Sequence, residues 1–390
     1  AILQTDAPGT TFINTTAMTG GAFEFLDAVE IATDLDAVNN GGRTTITATD
    51  GNTLLAAAPF STATQTVVFD NTVDSSDDAN PLDNVGEFNE LVVVTINDGT
   101  TRFNGSVGVD AGVGFFDNAL GRLQTDSVGN ADGVTEFNTA NVQTSGTSIE
   151  HNDPVFLFAD LLMAENDPNG TVHFNNTVDS NNATAKNLTV TTNGAGVDSL
   201  TRFGDDGSDI VGGTFPLGIL TVNHKSGVPG DDTTLFNADV NVEVAVIDDN
   251  LFIGNDDPPG DGVLTIDATV SATFNAPVDS VLDEANDLTV VSPITNFNAN
   301  VGNTTDDGSG TDGQFGTVVT TLTGGGDVTT LNADSFDADV WLFQDPLVVD
   351  NNPGTELVTI TGVTSVTFEN TVDSDAGESN NLTVNSPLTT

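Results

Sequence analysis

Phe69-Asp70-Asn71-Thr72-Val73-Asp74-Ser75 is the stretch of sequence that decides the fold, because the chain repeats it three more times. The other copies begin at Phe174, Phe274 and Phe368, at spacings of 105, 100 and 94 residues (69 to 174, 174 to 274 and 274 to 368). Each copy keeps the Phe, the Val-Asp-Ser ending and the distance between them. A phrase that recurs at a nearly fixed period indicates a repeat architecture, in which similar units stack on one another.

A shorter period lies inside the long one. Phe residues that follow short β-type stretches recur at a mean step of about 33 residues ((368−69)/9), and Asn or Asp follows most of them. Because identical positions lie over one another in a stack, we expect the Phe rings to stack in the interior and the Asn side chains to form an amide ladder at a corner. The series consists of Phe69, Phe103, Phe137, Phe174, Phe203, Phe236, Phe274, Phe297 and Phe368, with Leu331 in the remaining place.

The runs between these positions predict strands. Segments such as 91–96, 219–222 and 357–360 are rich in β-branched residues and bounded by polar turn residues. We see no apolar stripe of helical period over a comparable length, so we expect no substantial helix. Short strands that repeat in this way are typical of an all-β parallel β-helix, a solenoid whose coils stack at about 4.8 Å. At roughly 25–33 residues a coil, the chain has room for about 12–16 coils.

We expect the whole chain, 1–390, to be one continuous repeat solenoid. Both ends fall inside a repeat, since Leu3-Gln4-Thr5-Asp6 recurs as Leu123-Gln124-Thr125-Asp126, and this favours a fragment of a longer chain. The predicted periods of about 100 residues are about 66–170, 171–270 and 271–364, with partial periods at about 1–65 and 365–390. Acidic loops extruded at coil corners are predicted at the polar runs 76–89, 204–213, 248–262 and 304–313.

Composition restricts the classes of partner. The chain has 6 basic and 58 acidic residues, a net charge of −52, which excludes nucleic acid because a phosphate backbone is bound by Lys and Arg. We expect no membrane insertion, since no apolar run reaches the roughly 18 residues of a span, and the charge favours divalent cations as partners. The absence of Cys excludes a thiolate metal site.

The repeats resemble those of a known class of protein. Thr201-Arg202-Phe203-Gly204, Leu220-Thr221-Val222 and Thr233-Thr234-Leu235-Phe236-Asn237-Ala238-Asp239 are similar to repeats of giant bacterial exoproteins, the filamentous-haemagglutinin-like and autotransporter-like surface proteins. The resemblance implies a right-handed β-helix, secretion, an extracellular or cell-surface location, and a role in adhesion, stalks, sheaths or fibres. It supplies no catalytic residues.

Two acidic loops are the candidate metal sites, and calcium is the predicted ion. The runs 205–209 and 306–313 place several carboxylates around flexible glycines, as an adaptable oxygen-liganded Ca²⁺ site requires. The alternative is a solvated acidic loop that condenses cations loosely. The doublets 231–232, 248–249 and 256–257 are similar. The predicted ligands are Asp205, Asp206 and Asp209 in the first loop and Asp306, Asp307 and Asp312 in the second.

Three functions stay open at this point. The leading one is a structural shaft segment of a secreted giant repeat protein that forms an extracellular fibre, stalk or surface layer, with copies of itself and divalent cations as partners. The alternative is an adhesin that binds a cell-surface glycan or receptor through period-specific loops. Trp341 is the first residue to inspect for that role, although 340–343 is typical of a buried strand.

A polysaccharide-degrading β-helix enzyme is the minor alternative, and we expect no enzyme. Glycoside cleavage needs two carboxylates at a defined separation in a groove, and the six basic residues are too scattered to bind an acidic polysaccharide. His151, His173 and His224 have no metal-ligand spacing, so we expect isolated surface or corner histidines.

Overall fold

The computed structural model of the protein describes most of the chain. The described residues are 2–5, 9–32, 42–49, 66–75, 89–96, 99–109, 119–126, 133–193, 199–206, 208–224, 232–254, 262–281, 284–302, 314–321, 323–350, 357–376 and 379–390. Within these ranges the protein is all-β with no α-helix, as the sequence predicts. None of the described residues belongs to a helix that could cross a membrane. The chain divides into two compact units, Ala1–Leu200 and Thr201–Thr390.

The first unit is built from short strands. They are β1 Ile2–Gln4, β2 Thr10–Ile13, β3 Ala17–Gly20, β4 Ala22–Phe25, β5 Ala28–Ile31, β6 Arg43–Ala48, β7 Thr66–Phe69, β8 Val73–Ser75, β9 Glu90–Thr95, β10 Thr100–Phe103, β11 Leu120–Thr125, β12 Val134–Phe137, β13 Asn141–His151, β14 Val155–Leu157, β15 Leu161–Glu165, β16 Thr171–Phe174, β17 Val178–Ser180 and β18 Leu188–Thr192.

The second unit continues in the same way after β19, Leu200–Phe203, which starts on the last residue of the first unit. Its strands are β20 Ile210–Val211, β21 Leu217–His224, β22 Thr233–Phe236, β23 Asp239–Ile247, β24 Asn250–Ile253, β25 Val263–Phe274, β26 Val278–Ser280, β27 Asp287–Val291, β28 Ile294–Phe297, β29 Phe315–Thr321, β30 Val328–Leu331, β31 Ser335–Phe343, β32 Leu347–Val349, β33 Leu357–Phe368, β34 Val372–Ser374 and β35 Asn381–Asn385.

Parallel pairing is the rule inside each unit. In the first unit β10 pairs with β7 on one side and β12 on the other, and in the second unit β28 pairs with β25 and β30, all in parallel. Alternate residues of most strands are buried; in β12, for example, Thr135 and Phe137 are buried while Val134 and Glu136 are not. This alternation turns one face of each strand to an interior, and the parallel pairing gives a large parallel sheet in each unit.

The sequence predicts strands at 91–96, 219–222 and 357–360, and all three are confirmed as parts of β9, β21 and β33. Two of the predicted loops are partly wrong. The run 204–213 contains β20 and the run 248–262 contains β24. The remaining parts of the predicted loops fall largely on residues outside the described ranges. Short apolar pairs and triplets inside a polar run, such as Ile210-Val211, are enough to add a strand where a neighbouring strand supplies the hydrogen bonds.

The Phe rings stack in columns, as predicted. Phe69 lies between Phe25 and Phe103 with ring centroids 5.1 Å apart on both sides, and the rings are nearly parallel. In the second unit, Phe274 and Phe297 stack at 5.0 Å. Each stacked pair occupies the same register position of two neighbouring strands. The stacking therefore follows from the parallel register, which places cognate residues side by side.

The register does not place Phe beside Phe through a whole unit. In the first unit, Phe137 is paired with Leu157 on the next strand and Leu157 with Ser180, while Phe174 is paired with His151, whose ring contacts both Phe137 and Phe174. The second unit repeats the change: Leu331 is followed by Val349 and then by Ser374. In both places a Val-Asp-Ser strand thus follows Leu or Val in the register, and the Phe four residues before its Val has a different register partner.

Asn side chains form the predicted ladder beside the Phe columns. In the first unit, Asn104 Nδ2 donates to Asp70 Oδ1 at 2.6 Å and Asn138 Nδ2 donates to Asn104 Oδ1 at 3.2 Å. In the second unit, Asn275 donates to Asp248 at 2.6 Å and Asn298 donates to Asn275 at 2.7 Å. Each amide accepts from one neighbour and donates to the other, so the ladder links successive strands through side chains as well as through the backbone.

Two glycines mark a tight corner after a single bridging Val. Gly108 and Gly302 have φ angles of 63° and 71°, in the left-handed region that Gly enters without strain. A Cβ on Gly108 would overlap the carbonyl oxygen of Gln143, and a Cβ on Gly302 would overlap that of Asp337. Both the backbone angle and the close approach of the next strand therefore require glycine at this corner.

Candidate metal centre

The first predicted calcium loop brings its three carboxylates together. Asp205, Asp206 and Asp209 each offer an oxygen, and these oxygens lie within 4.8 Å of one another. The loop follows β19 and precedes β20. Asp209 Oδ2 accepts the backbone N–H groups of Asp205 at 3.0 Å and of Asp206 at 3.4 Å, and this folds the loop back on itself. Asp205 and Asp206 are exposed, whereas Asp209 is buried.

The electrostatics of the three carboxylates are unequal. Burial, together with the charges of Asp205 and Asp206, raises the pKa of Asp209 to about 6 against the lowering effect of the two backbone donors. Hydrogen bonds from the hydroxyl and the backbone N–H of Ser208 lower the pKa of Asp206. A cation bound among these oxygens would offset both the burial and the repulsion that disfavour ionised Asp209, so the arrangement has the chemistry of a hard, oxygen-liganded cation site.

Most of the other predicted acidic sites lie outside the part of the chain that the structure describes. Asp306, Asp307 and Asp312 lie outside the described residues, as do Asp231 and the doublet 256–257. The doublet 248–249 is described, and its two carboxylates have different partners. Asp248 accepts from Asn275 in the amide ladder, while Asp249 is fully buried and accepts from Thr234. The two residues form the connection between β23 and β24, and their carboxylates turn to different partners there.

The prediction of surface histidines is wrong for His151. Its ring is fully buried between Phe137 and Phe174, with centroids at 5.2 and 5.5 Å, so it occupies a place in an aromatic column. Burial lowers the pKa of His151 to about 3 and keeps the ring neutral. His224 is also buried, with Nε2 4.0 Å from Asp232 Oδ2.

Trp341 is fully buried and stacks on Phe343 at 5.1 Å, which confirms the buried strand and removes Trp341 as a receptor contact.

Three of the scarce basic residues form ion pairs with carboxylates. In the first unit, Arg43 binds Glu90 at 2.7 Å, Arg122 binds Glu150 at 2.6 Å, and Arg102 pairs with a third carboxylate, Glu136. These guanidinium groups pair with acidic side chains of neighbouring strands of the same sheet.

The Ser of Val-Asp-Ser closes the base of the following insert, and we call this contact the Ser–Asn clamp. Ser280 Oγ accepts both the backbone N–H and the Nδ2 of Asn286 at 3.1 Å, and Asn286 Nδ2 also reaches the carbonyl oxygen of Ile253. Ser75 and Asn89 make the same contacts across 14 residues instead of 6. The clamp recurs at Ser374 and Asn380. The Ser of Val-Asp-Ser therefore fixes the point where the following insert begins.

Sequence reasoning missed a second recurrent group, a set of buried aspartates that each accept a Thr hydroxyl. They stand at Asp153, Asp249 and Asp345, at equal spacings of 96 residues (153 to 249 and 249 to 345). All three are at most 1% exposed. Asp27 accepts from Thr11 in the same way at 3.2 Å. The equal spacing, with a polar residue before each Asp, is a signal in the sequence that could have identified them.

Comparisons of the chain with protein-family models, with curated proteins and with solved structures find no match. The function is therefore argued from the chain's own residues.

Proposed function

We propose that this chain is a structural shaft segment of a secreted giant repeat protein, in an extracellular fibre, stalk or surface layer. The finer architecture that we propose is a right-handed parallel β-helix of about 12–16 coils. The observation that carries the proposal is the parallel register itself, which places Phe25, Phe69, Phe103 and Phe137 side by side on four successive pairing partners. A chain that stacks cognate residues in this way grows along one direction without a fixed limit of size.

Side-chain contacts support a mechanical role. The aromatic columns and the amide ladders both link each strand to its neighbours, so stretching the stack would break side-chain contacts along with backbone hydrogen bonds. The Ser–Asn clamp holds inserts of different length on the same framework. Repetition of one structural contact along the chain fits a shaft better than an enzyme, because an enzyme needs a single active site that differs from the other repeats.

Solution scattering of the purified chain tests the architecture. We expect the form factor of a rod, with a length on the order of 60–75 Å from about 12–16 coils at about 4.8 Å each. Recording the scattering with excess EDTA and with added Ca²⁺ separates the shape of one chain from lateral association, which the acidic surface and bridging cations are proposed to drive. A compact, nearly spherical particle in EDTA would contradict the shaft.

The calcium part of the proposal rests on Asp205, Asp206 and Asp209. We expect the chain to bind Ca²⁺ at this loop, with the weak affinity of extracellular modules, about 10⁻⁴–10⁻³ M. Binding should strengthen as pH rises through about 6, because Asp209 must lose its proton to become a ligand. Asp209→Asn should weaken binding about tenfold or more, since it removes the buried charge. Titration calorimetry above and below pH 6 measures both effects.

Asp267→Asn is the matched control, because it removes one negative charge from the second unit outside the cluster. It should leave specific calcium binding unchanged. Equal losses of binding heat in Asp209→Asn and Asp267→Asn would show that the chain only condenses cations over its acidic surface.

A further inference from the structure

Three buried carboxyl groups share one geometry that the proposed function does not use. Asp249 Oδ2 accepts the hydroxyl of Thr234 at 3.0 Å and Asp345 Oδ2 accepts that of Thr329 at 3.1 Å. The Oδ1 atom of each is buried and has no hydrogen-bond partner among the described residues. Asp153 accepts two hydroxyls, from Thr125 and Thr135, both at 2.9 Å.

The titratable groups around these carboxyls do not supply a compensating positive charge to most of them. Asp345 faces Asp327, whose charge disfavours ionisation. Asp153 is joined through Thr125 to His151, whose Nδ1 is 2.8 Å from the Thr hydroxyl, and burial keeps that imidazole neutral. Asp249 faces Asp232 and Asp248, which oppose its charge, and His224, which favours it.

A carboxylate that is fully buried, with one or two hydroxyl donors and like charges nearby, is strongly destabilised. The neutral acid is the form that such a site accepts at least cost, and its proton gives the second oxygen a donor function. We propose that Asp153, Asp249 and Asp345 hold their protons in the folded chain at mildly acidic pH, where an ordinary Asp is ionised, so that mild acid stabilises the sheets and rising pH destabilises them.

The pKa directions agree with this geometry. Burial raises the pKa of Asp153 to about 6 and that of Asp249 to about 7, and it raises the pKa of Asp345 as well, while the Thr hydrogen bonds act in the opposite direction. Between the ordinary Asp value near 4 and these folded values, the folded chain binds more protons than the unfolded chain. Stability therefore falls as pH rises through this window, by up to about tenfold in the folding equilibrium constant per pH unit for each acid, and levels off above about 7.

Urea unfolding of the full chain tests the proposal, at constant ionic strength, in EDTA, and at pH values from about 4.5 to about 8. We expect the wild-type midpoint to fall as pH rises. The Asp153→Asn/Asp249→Asn/Asp345→Asn variant should have a clearly smaller slope, because an amide keeps the Thr hydrogen bond and does not titrate. The remaining slope is expected from Asp209 and Asp279, since burial raises their pKa to about 6 and about 7. Infrared spectra of the folded wild type at about pH 5.5 should show more protonated carboxylic acid than those of the triple variant.

A surface variant, Asp267→Asn/Asp339→Asn/Asp375→Asn, controls for the repulsion of a chain with net charge −52. It removes the same charge from positions that are not fully buried and should keep the wild-type slope. If the buried triple variant does not fold, the single Asp345→Asn variant and the wild-type infrared spectrum decide. A wild-type slope in the buried variant, or no protonated acid in the folded wild type, would overturn the proposal.

Discussion

Phe103→Ala should lower the free energy of unfolding by about 3–5 kcal/mol, the cost of removing a large ring from a close-packed interior. Phe103 is fully buried and stacks on Phe69 at 5.1 Å and on Phe137 at 5.3 Å, so the variant loses two ring contacts and leaves a cavity between two strands. Urea unfolding followed by far-ultraviolet circular dichroism measures the change.

Phe103→Leu is the control that the chain itself provides. Leu331 occupies the position that is in register with Phe297, so a column accepts Leu in place of Phe. We expect Phe103→Leu to cost far less than Phe103→Ala, within about 1.5 kcal/mol of the wild type. Equal losses in the two variants would mean that ring stacking, and not the filling of volume, stabilises the column. No loss in either would contradict a packed interior at this position.

Gly302→Ala should destabilise the second unit by roughly 2–5 kcal/mol. The φ of 71° costs a residue with a Cβ about 1–2 kcal/mol, and the overlap with the carbonyl oxygen of Asp337 adds the roughly 1–3 kcal/mol of an overpacked site. The neighbouring strand cannot move away without breaking the hydrogen bond from Asp337 N to Val301 O, which is 2.8 Å long.

Gly324→Ala is the matched control for this change. A Cβ on Gly324 would meet no atom within 4 Å, and its φ is not in the left-handed region. We expect Gly324→Ala to be neutral or slightly stabilising, because Ala restricts the unfolded chain more than Gly does. Thermal unfolding of the two variants, measured side by side, should therefore separate clearly. A Gly302→Ala variant as stable as Gly324→Ala would show that the corner can rearrange.

The repeat and its residue types were enough to predict the strands, the inward Phe rings and the Asn ladder. All three depend on local pattern and on cognate residues lying side by side. The local pattern can be read from one copy of the repeat, and the cognate positions from comparing the copies. The change from Phe to Leu at the register partner that follows Phe137 could not be predicted in this way. It depends on how many residues each turn of chain uses, and the structure shows 34 residues from Phe103 to Phe137 but 20 from Phe137 to Leu157.

The same distinction between local pattern and register applies to the acidic residues. The Asp205, Asp206 and Asp209 cluster is local, and a run of five residues predicts it. The inward position of Asp249 depends on Thr234, which lies 15 residues away on a neighbouring strand. Sequence reasoning assigns an Asp to the surface unless a partner is known, because an unpaired buried carboxylate is costly. Only the strand register shows that the hydroxyl of Thr234 lies where it can donate a hydrogen bond to Asp249.

The Ser–Asn clamp has a consequence for how such a chain can change over evolutionary time. Because Ser280 and Asn286 hold each other and the Ile253 carbonyl, the framework on either side is fixed independently of the segment between them. Doubling the length of a closed segment costs only about 0.6 kcal/mol in chain entropy. Insertions and deletions at this point are therefore nearly neutral for folding, and the segment can drift in length and composition while the frame keeps its sequence.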